Sequence, residues 1–300
     1  MKYFQINELE RLSGIKAHTI RIWESRYGLI NPERDAINCR LYSLTQAVQL
    51  LEIALLLQNG FKISKLARMP ETELQAMLDN LQNLPGKQLK VFIRLFKSMY
   101  LLDAGSFNKI LEQFLVEENT DALITGIIYP FLQKTALLWH GNRLIEEHFV
   151  VTAIRQKLMI GIEQASANNV GRKEILLFLP NENQLDLALL YASYQLNKNG
   201  IGTFYLGNDV TIDNLLPIVR MRPKFIYTYL PVRHRFDIGK LSRMVAIESP
   251  DSRLIITFHP QAKATSIYKN VLYFNIEDAL SYINMYTSLE NTPQANIIMN

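Results

Sequence analysis

The sequence predicts a multidomain α and α/β protein, and three observations lead there. The first 70 residues hold short amphipathic stretches broken at Ser13-Gly14, Gly28 and Pro32. Residues 87–167 repeat apolar positions at helical spacing, interrupted by short polar breaks. Residues 173–288 change period: short apolar runs alternate with helical stretches, the pattern of a parallel sheet covered on both faces. At 300 residues the chain exceeds one typical domain, and a hydrophobic fraction of 48% is enough for more than one core.

In the N-terminal part, Gln5 to Leu12 places Ile6, Leu9 and Leu12 on one helical face, and Ser13-Gly14 ends it. Thr19 to Arg26 follows, with Ile20 and Trp23 on one face and Arg21, Glu24 and Ser25 elsewhere; Gly28 closes it and Pro32 stops it resuming. Two short helices around a glycine-bearing turn form a helix-turn-helix, whose second helix enters the DNA major groove. The basic stretch that ends in an extended Arg40-Leu41-Tyr42 reads as a wing. Ser43 is the predicted N-cap of an apolar-striped helix, Leu44 to Gln58, closed by Gly60; Ile63 to Met69 forms a short further helix ended by Pro70.

The candidate DNA contacts are Lys16, His18, Thr19, Arg21, Arg26 and Tyr27 around the second helix, and Arg34, Arg40 and Tyr42 in the wing. Arg21 and Arg26 can reach guanine edges or phosphates, while Arg34, Arg40 and Tyr42 can clamp the backbone. The competing reading pairs these arginines with Glu24 and Glu33, and their arrangement as an ordered set favours DNA. Trp23, in register with Ile20, is expected in the core. Charge agrees: residues 1–68 hold ten Lys and Arg against six acids, an excess equal to the +4 of the whole chain.

The order of these pieces, with TIRxWE, YGL, an arginine loop, RLY and GF-x-ISKLARM, resembles the winged-helix domain of MerR-family transcription regulators. The match falls on Thr19, Ile20, Arg21, Glu24, Gly28, Leu29, Arg40, Leu41 and Tyr42 and spans about 65 residues. His18 stands where the family often has arginine, and Asn38-Cys39 replaces a common glycine-tyrosine, so base preference or wing shape is expected to differ. The resemblance implies a homodimer, or a larger even homo-oligomer, on a pseudo-palindromic double-stranded operator.

Beyond this head (1–70), residues 71–86 read as a helix and then a linker broken by Pro85-Gly86. A four-helix bundle is predicted over 87–170, with helices near 87–101, 104–117, 121–140 and 144–166 and a kink at Pro130. From 171 to 290 five strands are predicted, at Glu174–Leu179, Thr203–Leu206, Phe225–Leu230, Leu254–Phe258 and Val271–Phe274. Helical stretches at 184–198, 211–220, 236–247 and 276–288 separate and follow them. Five such units suit a flavodoxin-like doubly wound parallel sheet, with ligands beyond the carboxyl ends of the strands. Residues 291–300 are left as a tail. The lone Cys39 excludes an intrachain disulfide and a cysteine-rich zinc site, and no metal site is expected. No run approaches the ~18 apolar residues of a membrane span and no export signal opens the chain, so a cytoplasmic protein is expected.

Head, bundle and α/β half together resemble the cobalamin-binding, light-responsive repressors of carotenoid pathways. Leu138-Trp139-His140-Gly141 followed by Glu146-Glu147-His148-Phe149 looks like their W-x9-EH motif, in which the Trp covers the upper face of the corrin and the His answers to light; here the spacing is W-x7-EH. The lower-ligand motif E/D-x-H-x-x-G falls on Glu182-Asn183-Gln184-Leu185-Asp186-Leu187, with Gln184 at the histidine and Leu187 at the glycine. The family's S-x-L is Thr228-Tyr229-Leu230, and its glycine pair falls on Phe258-His259. An amide is a poor cobalt ligand beside imidazole, and bulk replaces glycine where backbone must approach the nucleotide tail. The ligand-pocket candidates are therefore Trp139, Glu147, His148, Gln184, Thr228 and His259, in a site expected to have lost cobalamin or to bind it weakly. A buried bundle Trp with a hydrogen-bonded helix His stands beside a retained pocket as readings of Trp139 and His148. His259 is an alternative cobalt ligand, weighed against a surface histidine.

No enzyme is expected: there is no G-x-x-x-x-G-K-[ST], no G-x-G-x-x-G after the first strand, no H-E-x-x-H and no G-x-S-x-G. The alternatives to a DNA-binding regulator are a corrinoid-dependent light or ligand sensor and a module that docks a protein. A small-molecule or protein effector would act on the C-terminal half.

Overall fold

The head folds as its punctuation dictates. In the computed structural model, which describes residues 3–81, 84–136, 138, 144–167, 174–180, 186–230, 235–258 and 268–290, strand β1 (Tyr3–Phe4) leads into helix α1 (Ile6–Ser13). The Glu8 carboxylate caps that helix by accepting the Gln5 N–H at 2.7 Å. Gly14, at φ +73°, closes it in the left-handed conformation that glycine adopts without penalty. Helix α2 (Ala17–Tyr27) ends the same way at Gly28. Strands β2 (Glu33–Arg34) and β3 (Arg40–Ser43) form the predicted wing, and β3 sits between β1 and β2 in an antiparallel sheet. Ser43 caps helix α3 (Leu44–Gln58) as expected, its hydroxyl accepting the Gln46 N–H while the Gln46 side chain accepts the Ser43 N–H.

The chain divides into two units, residues 1–153 and 154–300. The head and the bundle up to residue 153 share the first unit. After α4 (Ile63–Leu66) and α5 (Glu71–Asp79), helix α6 runs Leu84–Leu101. Pro85 and Gly86, expected to break the chain, thus lie in the first turn of a helix, where a missing N–H costs nothing. From α6, Phe96 and Tyr100 pack on Phe4 of the head with ring centroids 5.7 and 4.9 Å apart, so one core serves both. Helix α7 (Ala104–Glu117) starts on its Asp103 cap.

The predicted third bundle helix is not continuous. It runs as α8 (Thr120–Leu123), a π-helical segment (Ile124–Ile128) and α9 (Tyr129–Ala136). Pro130 has no N–H to give the carbonyl four residues back and its ring crowds that carbonyl. The wider turn, with Tyr129 N–H bonding Ile124 O, admits the proline where a kink was expected. Helix α10 (Leu144–Ser166) begins in the first unit and ends in the second.

The second unit is a five-stranded parallel sheet: β4 (Ile175–Phe178), β5 (Thr203–Gly207), β6 (Phe225–Leu230), β7 (Arg253–Phe258) and β8 (Val271–Phe274) in the order β5-β4-β6-β7-β8. This is the flavodoxin-like order with its switch point at β4 and β6. Side chains alternate between two cores. Ile175, Leu177, Tyr227, Tyr229 and Ile255 face α11 (Asp186–Lys198) and α14 (Ile276–Glu290). Leu176, Phe178, Ile226, Leu254 and Ile256 face α12 (Ile212–Val219) and α13 (Ile238–Glu248). Strand period and helix period therefore agree with the sequence reading over the described residues of this half.

Because the Ser43 cap starts the helix around which the head core forms, Ser43→Ala should lower stability by about 1 kcal/mol. Thermal melting followed by circular dichroism checks this against the wild-type chain.

Candidate functional site

Helix α2 presents two faces. Ile20 is fully buried and Trp23 nearly so, which places the Trp in the core as expected. His18, Arg21, Ile22 and Ser25, spaced three and four apart along one side, are exposed. Arg26 is exposed on the adjoining side, its guanidinium 5.4 Å from the Tyr27 ring centre. Thr19 and Tyr27 are half-buried.

The start of α2 is held by a residue of α1. Glu10 accepts the Ala17 N–H at 3.0 Å and the Lys16 ammonium at 3.0 Å. The Ala17 N–H first, then Lys16, keep the Glu10 carboxyl below its usual pKa. This long-range cap explains why α2 begins at Ala17, two residues before the predicted start. It also engages Lys16 in an ion pair within the head.

The wing needs one correction, at Tyr42, and its Arg40 is engaged within the head. Arg40 Nε lies 3.0 Å from Glu24 Oε1, joining β3 to α2, and only about a third of its side chain is exposed. Tyr42, expected to clamp the DNA backbone, is fully buried, with its hydroxyl toward Glu24 Oε2 at 3.4 Å. Burial, then the Glu24 charge, pushes the Tyr42 pKa up to about 12. Both residues hold the wing on the recognition helix, and Tyr42 offers nothing to DNA. The cause is their position on the inner strand of the sheet, which period alone does not reveal in so short a segment.

Arg34 remains exposed in the wing. Its guanidinium donates to Asn38 Oδ1 at 2.7 Å and to Asn38 O at 3.3 Å. The wing turn is built by Asp35, whose carboxylate accepts the N–H groups of Ile37 and Cys39, with Asn38 at φ +65°. Asparagine tolerates that conformation, so it serves where glycine is common. Ile37 at the turn and Ile22 on α2 are exposed apolar side chains that the charge-based reading passed over. Ile22 was legible, since it falls opposite the Ile20–Trp23 stripe.

The pocket candidates are less complete. Trp139, Gln184 and His259 lie outside the described residues. On α10 in the first unit, His148 is exposed and Glu147 half-buried. In the second unit Thr228 is fully buried in β6 between Phe178 and Ile256, and its Oγ1 has no hydrogen-bond partner. Sequence reasoning missed Asp186, the first residue of α11. It is buried, with Oδ2 2.5 Å from Arg155 Nε and Oδ1 without a partner. Burial, then the Asp186 charge, raises the nearby Tyr205 pKa to about 12.

A corrinoid held through an axial imidazole does not fit the described residues. Leu187, where the resemblance requires glycine, is buried, with 7% of its surface exposed. The sheet face toward α11 and α14 is filled by Leu177, Leu179, Tyr205, Tyr227 and Tyr229. Within the three motifs, Thr228 and Asp186 each carry an unpartnered buried oxygen among the described residues.

A protein with this helix-turn-helix, wing and parallel-sheet half is of a recognisable class. Residues 4–72 match the MerR HTH family regulatory protein, and the head is a MerR-type DNA-binding domain by fold. Over most of its length the chain is related to two repressors of Myxococcus xanthus. It is 23% identical over 236 residues to the HTH-type transcriptional repressor CarH, covering 74% of this chain and 77% of CarH. With the HTH-type transcriptional repressor CarA it is 25% identical over 225 residues, 74% of each chain. The monomethylamine corrinoid protein of Methanosarcina barkeri shares the fold over 66% of this chain and 98% of its own, with a TM-score of 0.50 and 11% identity. That likeness is one of fold. No helix among the described residues is long and apolar enough to cross a membrane.

Two variants separate the roles in the head. Arg40→Ala should lower the melting temperature, because it strands a partly buried carboxylate at a cost of about 1–3 kcal/mol. Arg21→Ala should melt like wild type. A second expectation concerns pH. Tyr42 has a folded pKa raised from 10.0 to about 12, so its contribution to stability is complete below pH 10 and is lost as pH rises through 12. Tyr42→Phe should show a shallower fall in melting temperature between those limits.

Proposed function

We propose that this chain is a sequence-specific DNA-binding transcription regulator, acting as a homodimer or larger even homo-oligomer on a pseudo-palindromic operator. In this reading it is not an enzyme, and its sensor-like half has lost cobalamin binding. The observation that carries the DNA reading is the exposed face of α2, with Arg21 and Arg26 free of the core and the wing fixed beside them through Glu24. His18, Arg21 and Arg26 would enter the major groove, while Arg34, Lys16, Thr19 and Tyr27 would contact the backbone. The relationship to CarH and CarA, both repressors by name, supports regulation of transcription. Loss of cobalamin rests on Gln184 and on the buried Leu187 and tyrosines. A protein effector, or a smaller ligand, would then act on the α/β half.

A selected operator duplex tests the first part. Binding should weaken steeply with salt, with a log–log slope of about −0.9 per phosphate contact. Arg21→Ala should reduce affinity roughly tenfold or more. Salt-insensitive binding, or an Arg21→Ala variant equal to wild type, overturns the assignment.

The unpartnered Thr228 oxygen favours a second reading, a retained corrinoid site. Purified protein incubated with adenosylcobalamin in the dark and desalted distinguishes the two. Colourless elution is the expected result. Corrin bands that co-elute and change on illumination would establish a divergent photoreceptor instead.

A further inference from the structure

The exposed face of α2 carries one apolar side chain, Ile22, which is 41% exposed. At 100° per residue it lies 200° from Ile20, away from the stripe that Ile20 and Trp23 bury. Nothing in the core requires it to be apolar. A β-branched residue also holds a helix less well than the straight-chain or alanine alternatives, so the position is not set by helix propensity. His18 and Ser25, four residues before and three after, flank it, and Arg21 is its chain neighbour. Ile22 is therefore the centre of the face whose charge suits DNA.

Base edges in the major groove offer one methyl group, the C5 methyl of thymine; the other groups that distinguish the bases there are hydrogen-bond donors and acceptors. An isoleucine can satisfy none of the latter and would leave them dehydrated. Consecutive Cα atoms are about 3.8 Å apart and base-pair steps about 3.4 Å, so Ile22 and Arg21 reach bases within a step or two of one another. We propose that Ile22 reads a thymine methyl in each half-site, beside the guanine or phosphate engaged by Arg21. This rests on the DNA-binding reading given above and deepens it, because it makes an uncharged residue a determinant of specificity.

The test uses the full chain and duplexes selected from a random library. Each half-site thymine in the enriched sequence is replaced in turn by deoxyuridine, which removes only the methyl. At one position wild-type affinity should fall about fourfold, the worth of one buried methyl group. Ile22→Ala, melting like wild type, should bind both duplexes alike. The Arg21→Ala variant should keep its sensitivity to the methyl while losing overall affinity. Wild-type binding unaffected by deoxyuridine at every position, or an Ile22→Ala variant that loses affinity as wild type does, overturns this inference and leaves the DNA reading standing. A library with no enriched sequence overturns both.

Discussion

Glu24 fixes the geometry on which the head depends. Its carboxylate belongs to the recognition helix, and it receives the guanidinium of Arg40 and faces the hydroxyl of Tyr42, both from β3. In the proposed regulator the wing and α2 address two parts of one duplex, so their relative placement has to be set before DNA arrives. An ion pair shielded from solvent on one side does this better than an exposed one, because it is less screened and its partners have fewer rotamers to lose. Glu10 does the same at the other end of α2 by capping the Ala17 N–H. The acids of the head are thus partly spent on holding it together. Lys16 and Arg40 are their partners, while Arg21 and Arg26 stand exposed on α2 and Arg34 in the wing.

What could be read from sequence follows how local each cause is. The bounds of α3, β6 and β8 match the sequence reading because caps, glycines and a change of period mark them within a few residues. The two-residue strands β1 and β2 carry no period, and they exist through pairing with β3. The start of α2 depends on a carboxylate seven residues away, and the roles of Arg40 and Tyr42 depend on one 16 and 18 residues away. Basic and aromatic residues in a wing motif suggest DNA contact equally well whether they point outward or inward. Pro130 was legible as a disturbance, but its form was not, since kink and π turn both relieve the same clash.

The α/β half argues from the opposite direction. Both faces of its sheet are packed by side chains of the chain itself, with tyrosines at 205, 227 and 229 on the face toward α11 and α14. Its two unpartnered buried oxygens, Thr228 Oγ1 and Asp186 Oδ1, are each a cost to folding with no return among the described residues. They mark where a ligand with hydrogen-bond donors would gain most, and any effector search in this half begins beside them. That chemistry is broader than a corrinoid, which is why a protein or a smaller ligand suits the proposed regulator.

Affinity and specificity draw on different residues of the recognition face. Arginines attract any duplex, and their contribution fades with added salt because releasing counterions from the DNA into a saltier solution gains less free energy. A methyl contact made by Ile22 contributes little to affinity, and what it contributes does not depend on salt. In one protomer about fourfold discrimination would be lost among the many competing sites of a genome. In the proposed homodimer, two protomers on a two-fold operator would make the contact twice. For independent half-sites the effects multiply to about sixteenfold, and a larger even assembly on tandem sites compounds them again. A weakly charged head with an apolar residue at the centre of its reading face therefore needs oligomerisation more than a strongly basic one does.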